Sequence, residues 1–221
     1  NINNIKSKNI KWSNKINFNS KLPSIIYSNE FFDCFPVRQF ILKNNWLEKY
    51  VSFNTKENKF LLKDRIVKSK LLLKLLNKYK KEKLLELSFE RNRYYEKICK
   101  FIKNRGGLFF TIDYGYFKNI KNFSLQAIQN HKYSHVLEQV GNKDISSHVN
   151  FIDLLNIAEK NKLQIEECCS QREFLIKYGI LERKNNLSKK NDTNKLNVEL
   201  DKLISKKHMG NLFKCLIVSN I

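Results

Sequence analysis

The sequence predicts an α/β fold with a largely parallel sheet, because two buried strands are joined through a capped helix. Residues 25–27 form a short apolar, β-prone run that stops at polar Ser28, as in a strand covered on both faces. Residues 108–112 form a second such run, directly after helix-ending glycines. Ligands of open α/β sheets bind outside the carboxyl ends of the strands, so we expect functional side chains just after these two runs.

The segments before the helix predict a strand, an insertion and an amphipathic helix. Ile10 and Trp12 predict one short strand near the amino terminus. In residues 37–64 apolar patches alternate around a polar turn, which predicts an antiparallel β meander inserted beside the crevice. Residues 65–83 mix Leu with Lys at helical spacing, and we favour a solvated amphipathic helix over a partner-binding one.

Helix caps define the segment between the two buried runs. Ser88 is a candidate N-cap, with Glu90 in the first turn of a helix that reaches about residue 104. Gly106 ends this helix, because glycine tolerates the left-handed conformation of a C-cap. Residues 84–87, which precede the cap, are a candidate strand.

The carboxyl-terminal half alternates helices and strands after a long loop. Residues 117–144 are predicted to be largely irregular and long enough for a lid or a binding loop. Residues 183–207 are charged, and we expect a linker at 189–194 ahead of the last helix. The remaining predicted elements are a helix at 149–160, a strand at 163–168, a helix at 171–178 closed by Gly179, and a strand at 213–218.

The net charge of +21 is of the kind that attracts nucleic acid or anionic membranes. Most of the 42 basic residues are lysines scattered among Asn and Ile, and they form no single stripe. We therefore attribute the charge to composition and disfavour a nucleic-acid partner. A nucleic-acid binder stays an alternative hypothesis. Five cysteines without CxxC spacing favour a reducing compartment, and no apolar run approaches the roughly 18 residues of a membrane span.

Five stretches resemble, in the same order, the MidA-like methyltransferases. This family uses S-adenosylmethionine and includes a mitochondrial complex I assembly factor. The resemblance implies a Rossmann-like class I methyltransferase sheet, S-adenosyl-L-methionine as cofactor, and methylation of an arginine in a protein substrate, such as a complex I core subunit. It also implies the bacterial cytoplasm or the mitochondrial matrix as the compartment. The stretches are residues 29–40, 106–116, 125–131, 147–151, and 171–175 with 209–214.

Glu30 and Asp33 are the candidate catalytic carboxylates. Carboxylates can hold a guanidinium through two parallel hydrogen bonds and polarise the nitrogen that accepts the methyl group. The alternative is that they cap the next helix. The resemblance implies that Asn29 binds the methionine end of the cofactor.

Asp113, Gln126 and His148 are the candidate substrate-binding residues. Asp113 follows the second buried run and could instead order a loop, and His148 could make a structural hydrogen bond. Gln126 lies in one of the resembling stretches. His131 and His135 stand four residues apart, but no third ligand is persuasive, so we predict no metal site.

An absence limits the resemblance. Class I methyltransferases hold the cofactor through a glycine-rich loop after their first strand, and this chain has no glycine before Gly106. We therefore expect residues 1–221 to be a single methyltransferase domain that is truncated at its amino terminus and matches from about the third or fourth strand onward. The chain is then a fragment of a longer enzyme or a degenerate reading frame, or another chain supplies the missing half. Activity of this chain alone is not expected. The alternative is a non-catalytic assembly or interaction protein that retains part of the fold.

Overall fold

A computed structural model describes residues 10, 12–14, 16, 18, 20–118, 120–130, 132–189 and 192–221. The strands are β1 Ser24–Asn29, β2 Arg38–Leu42, β3 Trp46–Asn54, β4 Lys59–Ile66, β5 Leu84–Leu87, β6 Gly107–Tyr116, β7 Gln126–Gln129, β8 Lys132–Ser134, β9 Asp144–Ser146, β10 Val149–Asn150, β11 Gln164–Ser170 and β12 Phe213–Asn220. The α-helices are α1 Lys70–Leu76, α2 Phe89–Arg105, α3 Phe151–Lys160, α4 Gln171–Lys177, α5 Ile180–Ser188, α6 Thr193–Ile204 and α7 Met209–Leu212.

The main sheet has the order β1-β6-β12-β11, and β10 also pairs with β6. Strands β1 and β10 run parallel to β6, whereas β12 is antiparallel to both of its neighbours. In the β1–β6 register Asn29 pairs with Ile112, so the carboxyl ends of the two predicted strands lie side by side. The predicted α/β class with a parallel-containing sheet is confirmed.

Helices cover the two faces of this sheet. The caps of α2 are those predicted: the Ser88 hydroxyl accepts a hydrogen bond from the Arg91 amide, and Gly106 follows the helix with φ 79°. Helices α2 and α3 bury one face against a core that includes Tyr95, Ile98, Ile102, Phe109, Leu154 and Leu216. On the other face, the ring of Phe174 in α4 lies 5.0 Å from that of Phe110.

A second, antiparallel sheet has the order β4-β3-β2-β5 and contains the predicted meander. Helix α1 is shorter than the pattern suggested, because residues 65 and 66 still belong to β4. Its Leu72, Leu73, Leu75 and Leu76 pack against the core of this sheet around Trp46. The apolar face of α1 is therefore used within the chain.

The structure refines three predictions. Ile10 and Trp12 are exposed and lie outside regular secondary structure, and residue 11 between them is outside the described residues. The described part of residues 117–144 is largely irregular as predicted, but it also holds β7, β8 and the start of β9, which form a small antiparallel sheet. The charged segment from residue 183 is helical in α5 up to Ser188, and residues 190 and 191 of the predicted linker are outside the described residues.

Strand β1 lies at the edge of the main sheet. It pairs with β6 on one side, and no described strand pairs with its other side. The prediction that residues 25–27 form a strand covered on both faces is wrong for this structure, because Ile25 is 85% exposed and Tyr27 is 59% exposed at this edge. Within the described part of the chain, no helix combines the length and the apolar character needed to cross a membrane.

Candidate functional site

The chain turns sharply where β1 ends. Glu30 adopts the left-handed region with φ 47°, which is uncommon for a residue other than glycine, and its amide donates to the Ile112 carbonyl over 3.1 Å. The side chains of Asn29 and Glu30 are exposed. The predicted catalytic and cofactor-binding positions therefore lie at the carboxyl end of a parallel strand, where the sequence placed them.

Asp113 holds the loop that follows this turn. Its Oδ2 accepts hydrogen bonds from the amides of Phe31 (3.1 Å) and Phe32 (2.8 Å), and its Oδ1 accepts from the Tyr114 amide (2.9 Å). The residue is fully buried. Burial, followed by the nearby charge of Asp33, raises the pKa of Asp113 to about 7, although the three amide bonds oppose this.

The surroundings of Asp113 bear on its predicted role. Strand β6 continues to Tyr116, so Asp113 lies within the strand rather than just after it. Its buried carboxylate accepts three backbone N–H groups, and these contacts support loop ordering, the alternative considered for this residue. Substrate binding by Asp113 stays a prediction.

Asp33 joins the loop to a second segment. Its carbonyl accepts a hydrogen bond from the Ser147 amide over 2.9 Å, and the residue is buried. Burial is the main cause that raises the pKa of Asp33, and the charge of Glu30 raises it further. The charge of Glu30 thus acts on Asp33, and that of Asp33 acts on Asp113, and both effects favour the protonated form of the carboxyl group they act on.

Arg91 of α2 links the same two segments, the loop after β1 and residues 147–148, through hydrogen bonds. Its Nε donates to the Phe32 carbonyl (2.8 Å), one terminal nitrogen donates to the Ser147 hydroxyl (2.9 Å), and the other donates to the His148 carbonyl (3.4 Å). Arg91 is only 3% exposed, and this burial lowers its pKa. No carboxylate within the described residues forms an ion pair with it, so backbone oxygens and a hydroxyl satisfy the guanidinium.

Glu86 of β5 fixes the loop before β7. Its carboxylate accepts from the Ser124 hydroxyl, the Ser124 amide and the Leu125 amide, and from the Gln39 side chain. The Ser124 hydroxyl in turn accepts from the His148 amide over 2.8 Å. The backbone at His148 is therefore held from two sides, by Arg91 and by Ser124.

An open cleft of about 980 Å³ lies beside these loops. Gln126, His148 and Tyr114 line it on the sheet side, and the rings of Tyr114 and His148 are nearly parallel, 11° apart, with centroids 6.4 Å apart. Burial lowers the pKa of His148, and the charge of Lys214 acts in the same direction. The predicted substrate-binding residues Gln126 and His148 thus face one cavity.

The carboxyl-terminal segment supplies the remaining lining residues. Met209 and Leu212 of α7 are apolar, as is Phe213 of β12, whose ring centroid lies 4.2 Å from that of Tyr114, and α6 contributes Val198 and Lys202. Four of the five resembling stretches therefore contribute lining residues to this cleft, although α6 lies outside all of them. The fifth stretch, which contains Glu30, contributes none of the lining residues.

The structure adds functional candidates to those that the sequence indicated. Arg91, Glu86 and the α6 residues had no signal in the sequence, because their partners are remote in the chain. Tyr114 could have been found, since it follows Asp113 within a resembling stretch.

His131 lies outside the described residues, and His135 is an exposed residue after β8. No group of three or more possible metal ligands occurs among the described side chains.

Comparisons with known proteins agree with this architecture. A family model described as "Putative S-adenosyl-L-methionine-dependent methyltransferase" matches residues 2–169. The mitochondrial protein arginine methyltransferase NDUFAF7 of Danio rerio is 28% identical over 204 residues, which are 89% of this chain and 47% of that protein. The Caenorhabditis elegans homolog is 27% identical over 179 residues, covering 79% of this chain and 42% of the relative. The chain thus spans about half the length of these curated relatives.

Two solved structures of one superfamily from Burkholderia thailandensis share the fold. The first aligns with a TM-score of 0.83 and 21% identity, and the match covers 95% of this chain and 58% of that chain. The second, bound to S-adenosyl-homocysteine, has a TM-score of 0.81 and 21% identity, with 95% and 56% covered.

Proposed function

Because the chain belongs to the S-adenosyl-L-methionine-dependent methyltransferase family whose model matches residues 2–169, we propose that it takes part in methylating an arginine of a protein substrate. The observation that carries this proposal is the position of Glu30 and Asp33 in the loop after β1. Asp113 holds this loop against β6, where the next residue, Tyr114, lines a cleft together with Gln126 and His148. The relatives named protein arginine methyltransferases support arginine as the acceptor.

The residues at this edge fit one side of the cofactor. The exposed Asn29 amide follows a parallel strand, which is where ligands of open α/β sheets bind, and it could contact the polar methionine end. When bound, the cofactor supplies a methyl group on a sulfonium, and the sulfur keeps the electron pair of the broken bond. No glycine-rich loop precedes Gly106 in this chain, so contacts to the adenosyl part are not assigned to its residues.

Glu30 would orient the acceptor guanidinium, and Asp33 would take its proton. A guanidinium is always charged and a poor nucleophile, so its reaction depends on placement and on nearby negative charge. Glu30 is exposed and able to accept two parallel N–H bonds. As the nitrogen forms its bond to carbon, its proton would pass to the carboxylate of Asp33, whose raised pKa suits it to hold one.

The finer assignment follows from the resemblance. We propose a complex I core subunit as the acceptor and the mitochondrial matrix, or the cytoplasm in a bacterium, as the compartment. The relatives' names include "mitochondrial", which supports the first of these compartments.

A chimaera tests the proposal. This chain would replace its matched segment in the Danio rerio relative, and the product would be incubated with radiolabelled cofactor and complex I core subunits. We expect label on arginine, identified by mass spectrometry, and its loss in Glu30→Gln. The matched control is Glu57→Gln, an exposed carboxylate in the β3–β4 turn, which should keep activity. An inactive chimaera beside an active parent would refute the proposal.

A second candidate is a non-catalytic interaction protein that retains part of the fold. The exposed apolar edge at β1 favours it, because such an edge is available to a partner. In a pull-down from mitochondrial extract, undiminished capture of a partner by a Glu30→Ala, Asp33→Ala double variant would favour this candidate over catalysis.

A further inference from the structure

We infer that a second cavity, formed by the antiparallel sheet and the start of α1, binds a phosphate monoester through Arg38, Arg65 and Lys68. This cavity has a volume of about 610 Å³, which is within the usual range for small-ligand sites. It shares no lining residue with the cleft described above. The inference therefore goes beyond the proposed function and does not rest on it.

The register of the antiparallel sheet brings two arginines to one carboxylate. Glu48 of β3 pairs with Arg65 of β4 on one side and with Phe40 of β2, two residues after Arg38, on the other. Its Oε1 accepts a hydrogen bond from Nε of Arg38 over 2.6 Å, and its Oε2 accepts from Nη2 of Arg65 over 2.9 Å. Glu48 is 7% exposed, whereas the side chains of Arg38 and Arg65 are 42% and 58% exposed. A buried carboxylate thus holds two guanidinium groups at the surface.

Aromatic rings restrict the same two guanidinium groups. The Cζ atom of Arg38 lies 5.3 Å from the ring centroid of Phe40 and 5.7 Å from that of Phe89. The Cζ atom of Arg65 lies 5.2 Å from the ring centroid of Tyr50. Because each side chain is oriented by a ring and by Glu48 before any ligand arrives, little further side-chain entropy is lost on binding.

The contacts with Glu48 leave several N–H donors for a ligand. Among the described residues, Arg38 donates hydrogen bonds only through Nε, and Arg65 donates only through Nε and Nη2. Both terminal nitrogens of Arg38 and Nη1 of Arg65 are therefore able to donate to a further acceptor. Guanidinium groups with such donors match the oxygens of a phosphate group in geometry and charge.

The charge of the cavity favours a doubly charged ligand. Lys68, the third basic residue of the lining, is exposed and has no ion pair within the described part of the chain. Three cationic side chains and the carboxylate of Glu48 give the lining a net charge of +2. A phosphate monoester carries close to two negative charges at neutral pH, whereas a carboxylate or a phosphodiester carries one.

The use of arginine here runs against the composition of the chain. Only seven of the 42 basic residues are arginines, and two of them bind Glu48. Arg91 and Arg172 also have specific contacts, since both donate to backbone carbonyl groups. A solvated face needs only lysine, so two oriented arginines at one cavity support a role that requires planar groups with several donors.

Nuclear magnetic resonance of the ¹⁵N-labelled 221-residue chain tests the inference. The chain is titrated with glycerol 3-phosphate at constant ionic strength, and we expect saturable shifts at the Nε–H signals of Arg38 and Arg65 and at the amide of Lys68. Arg38→Lys keeps the charge but loses the planar donors, so it should weaken binding roughly tenfold. Lys68→Gln, which leaves the contacts of Glu48 intact, should weaken binding roughly threefold. Lys74→Gln, an exposed change on α1 outside the cavity, is the matched control and should change little.

A second titration, with vesicles that contain phosphatidic acid, distinguishes the source of the phosphate monoester. Tighter binding to these vesicles than to glycerol 3-phosphate would assign a lipid headgroup, and weaker binding would assign a soluble phosphate ester.

Three results would overturn the inference. They are shifts that do not saturate and spread over the surface lysines, equal affinity of Arg38→Lys, Lys68→Gln and the unaltered chain, or tighter binding of a single-stranded oligonucleotide that Arg38→Lys weakens. The last result would identify a nucleic-acid site instead. Because no methyl transfer is measured, none of these results bears on the proposed function.

Discussion

The carboxylate of Asp113 lies 2.8 Å from the amide nitrogen of Phe32, which fastens the middle of β6 to the loop after β1. This bond, with the two others that Asp113 accepts, determines where the backbone that carries Glu30 and Asp33 lies. The carboxyl group of Asp113 therefore acts on the backbone of the loop that carries Glu30 and Asp33.

Asp113 should make the stability of the protein depend on pH. Its pKa is raised from 3.8 to about 7 in the folded chain, so between these values unfolding releases a proton. The free energy of unfolding should therefore fall as pH rises through this window and level off above it. Asp113→Asn cannot ionise and should remove this part of the slope, although it lowers stability overall because an amide cannot accept all three bonds. Urea denaturation across the window would measure both effects.

The matched control for that experiment is Asp144→Asn, on the exposed strand β9. Its pH profile should run parallel to that of the unaltered protein. A parallel profile for Asp113→Asn as well would contradict the raised pKa of Asp113.

Glu30→Gly should separate stability from function. Glycine adopts φ 47° without steric cost but adds entropy to the unfolded chain, so the two effects should cancel to within about 1 kcal/mol. Methyl transfer by the chimaera should be lost with the carboxylate. The control is Asn58→Gly, which has φ 48° in the β3–β4 turn and should keep activity. A Glu30→Gly chimaera with full activity would show that this carboxylate is dispensable.

Arg91→Leu should destabilise the protein by about 3 kcal/mol, because two buried acceptors and one partly buried acceptor lose their donor. Hydrogen exchange should also accelerate at the Ser147 amide, which bonds to the Asp33 carbonyl. Arg93→Leu, an exposed change on the same helix, should stay within about 0.5 kcal/mol. Equal effects of the two changes in urea denaturation would show that the contacts of Arg91 with Phe32, Ser147 and His148 do not stabilise the fold.

Gly107→Ala should cost more than about 3 kcal/mol, because it combines a positive φ of 117° with a Cβ only 2.1 Å from the Ser24 carbonyl oxygen. Gly141→Ala isolates the backbone contribution: φ is 94° there, but nothing lies within 4 Å of the new atom. It should cost about 1 kcal/mol. Thermal unfolding of both variants would give the steric part by difference, and similar losses would contradict the close approach of β1 and β6.

Local signals in the sequence predicted the central elements well. Short apolar runs marked β1, β6 and β12, although β1 proved to be an exposed edge strand. Caps at Ser88 and Gly106 marked α2, because both kinds of signal depend on neighbouring residues. The small sheet of β7, β8 and β9 was missed. Its strands are only three or four residues long, which is too short for a periodic pattern.

The site was predictable in part for a similar reason. Glu30, Gln126 and His148 lie in stretches that resemble a known family, so their general position followed from the resemblance. For Asp113, loop ordering was one of two alternatives, and the sequence could not decide between them because the contacts to Phe31 and Phe32 join residues more than 50 positions apart. The contacts of Arg91 did not follow from the sequence for the same reason. The place of Val198 and Lys202 in the cleft depends likewise on how α6 docks.

The outer edge of β1 has a practical consequence. A strand with unpaired backbone groups and exposed Ile25 and Tyr27 is a template on which another strand can add. In concentrated preparations, aggregation of folded molecules rather than unfolding should limit storage, unless another strand pairs with this edge.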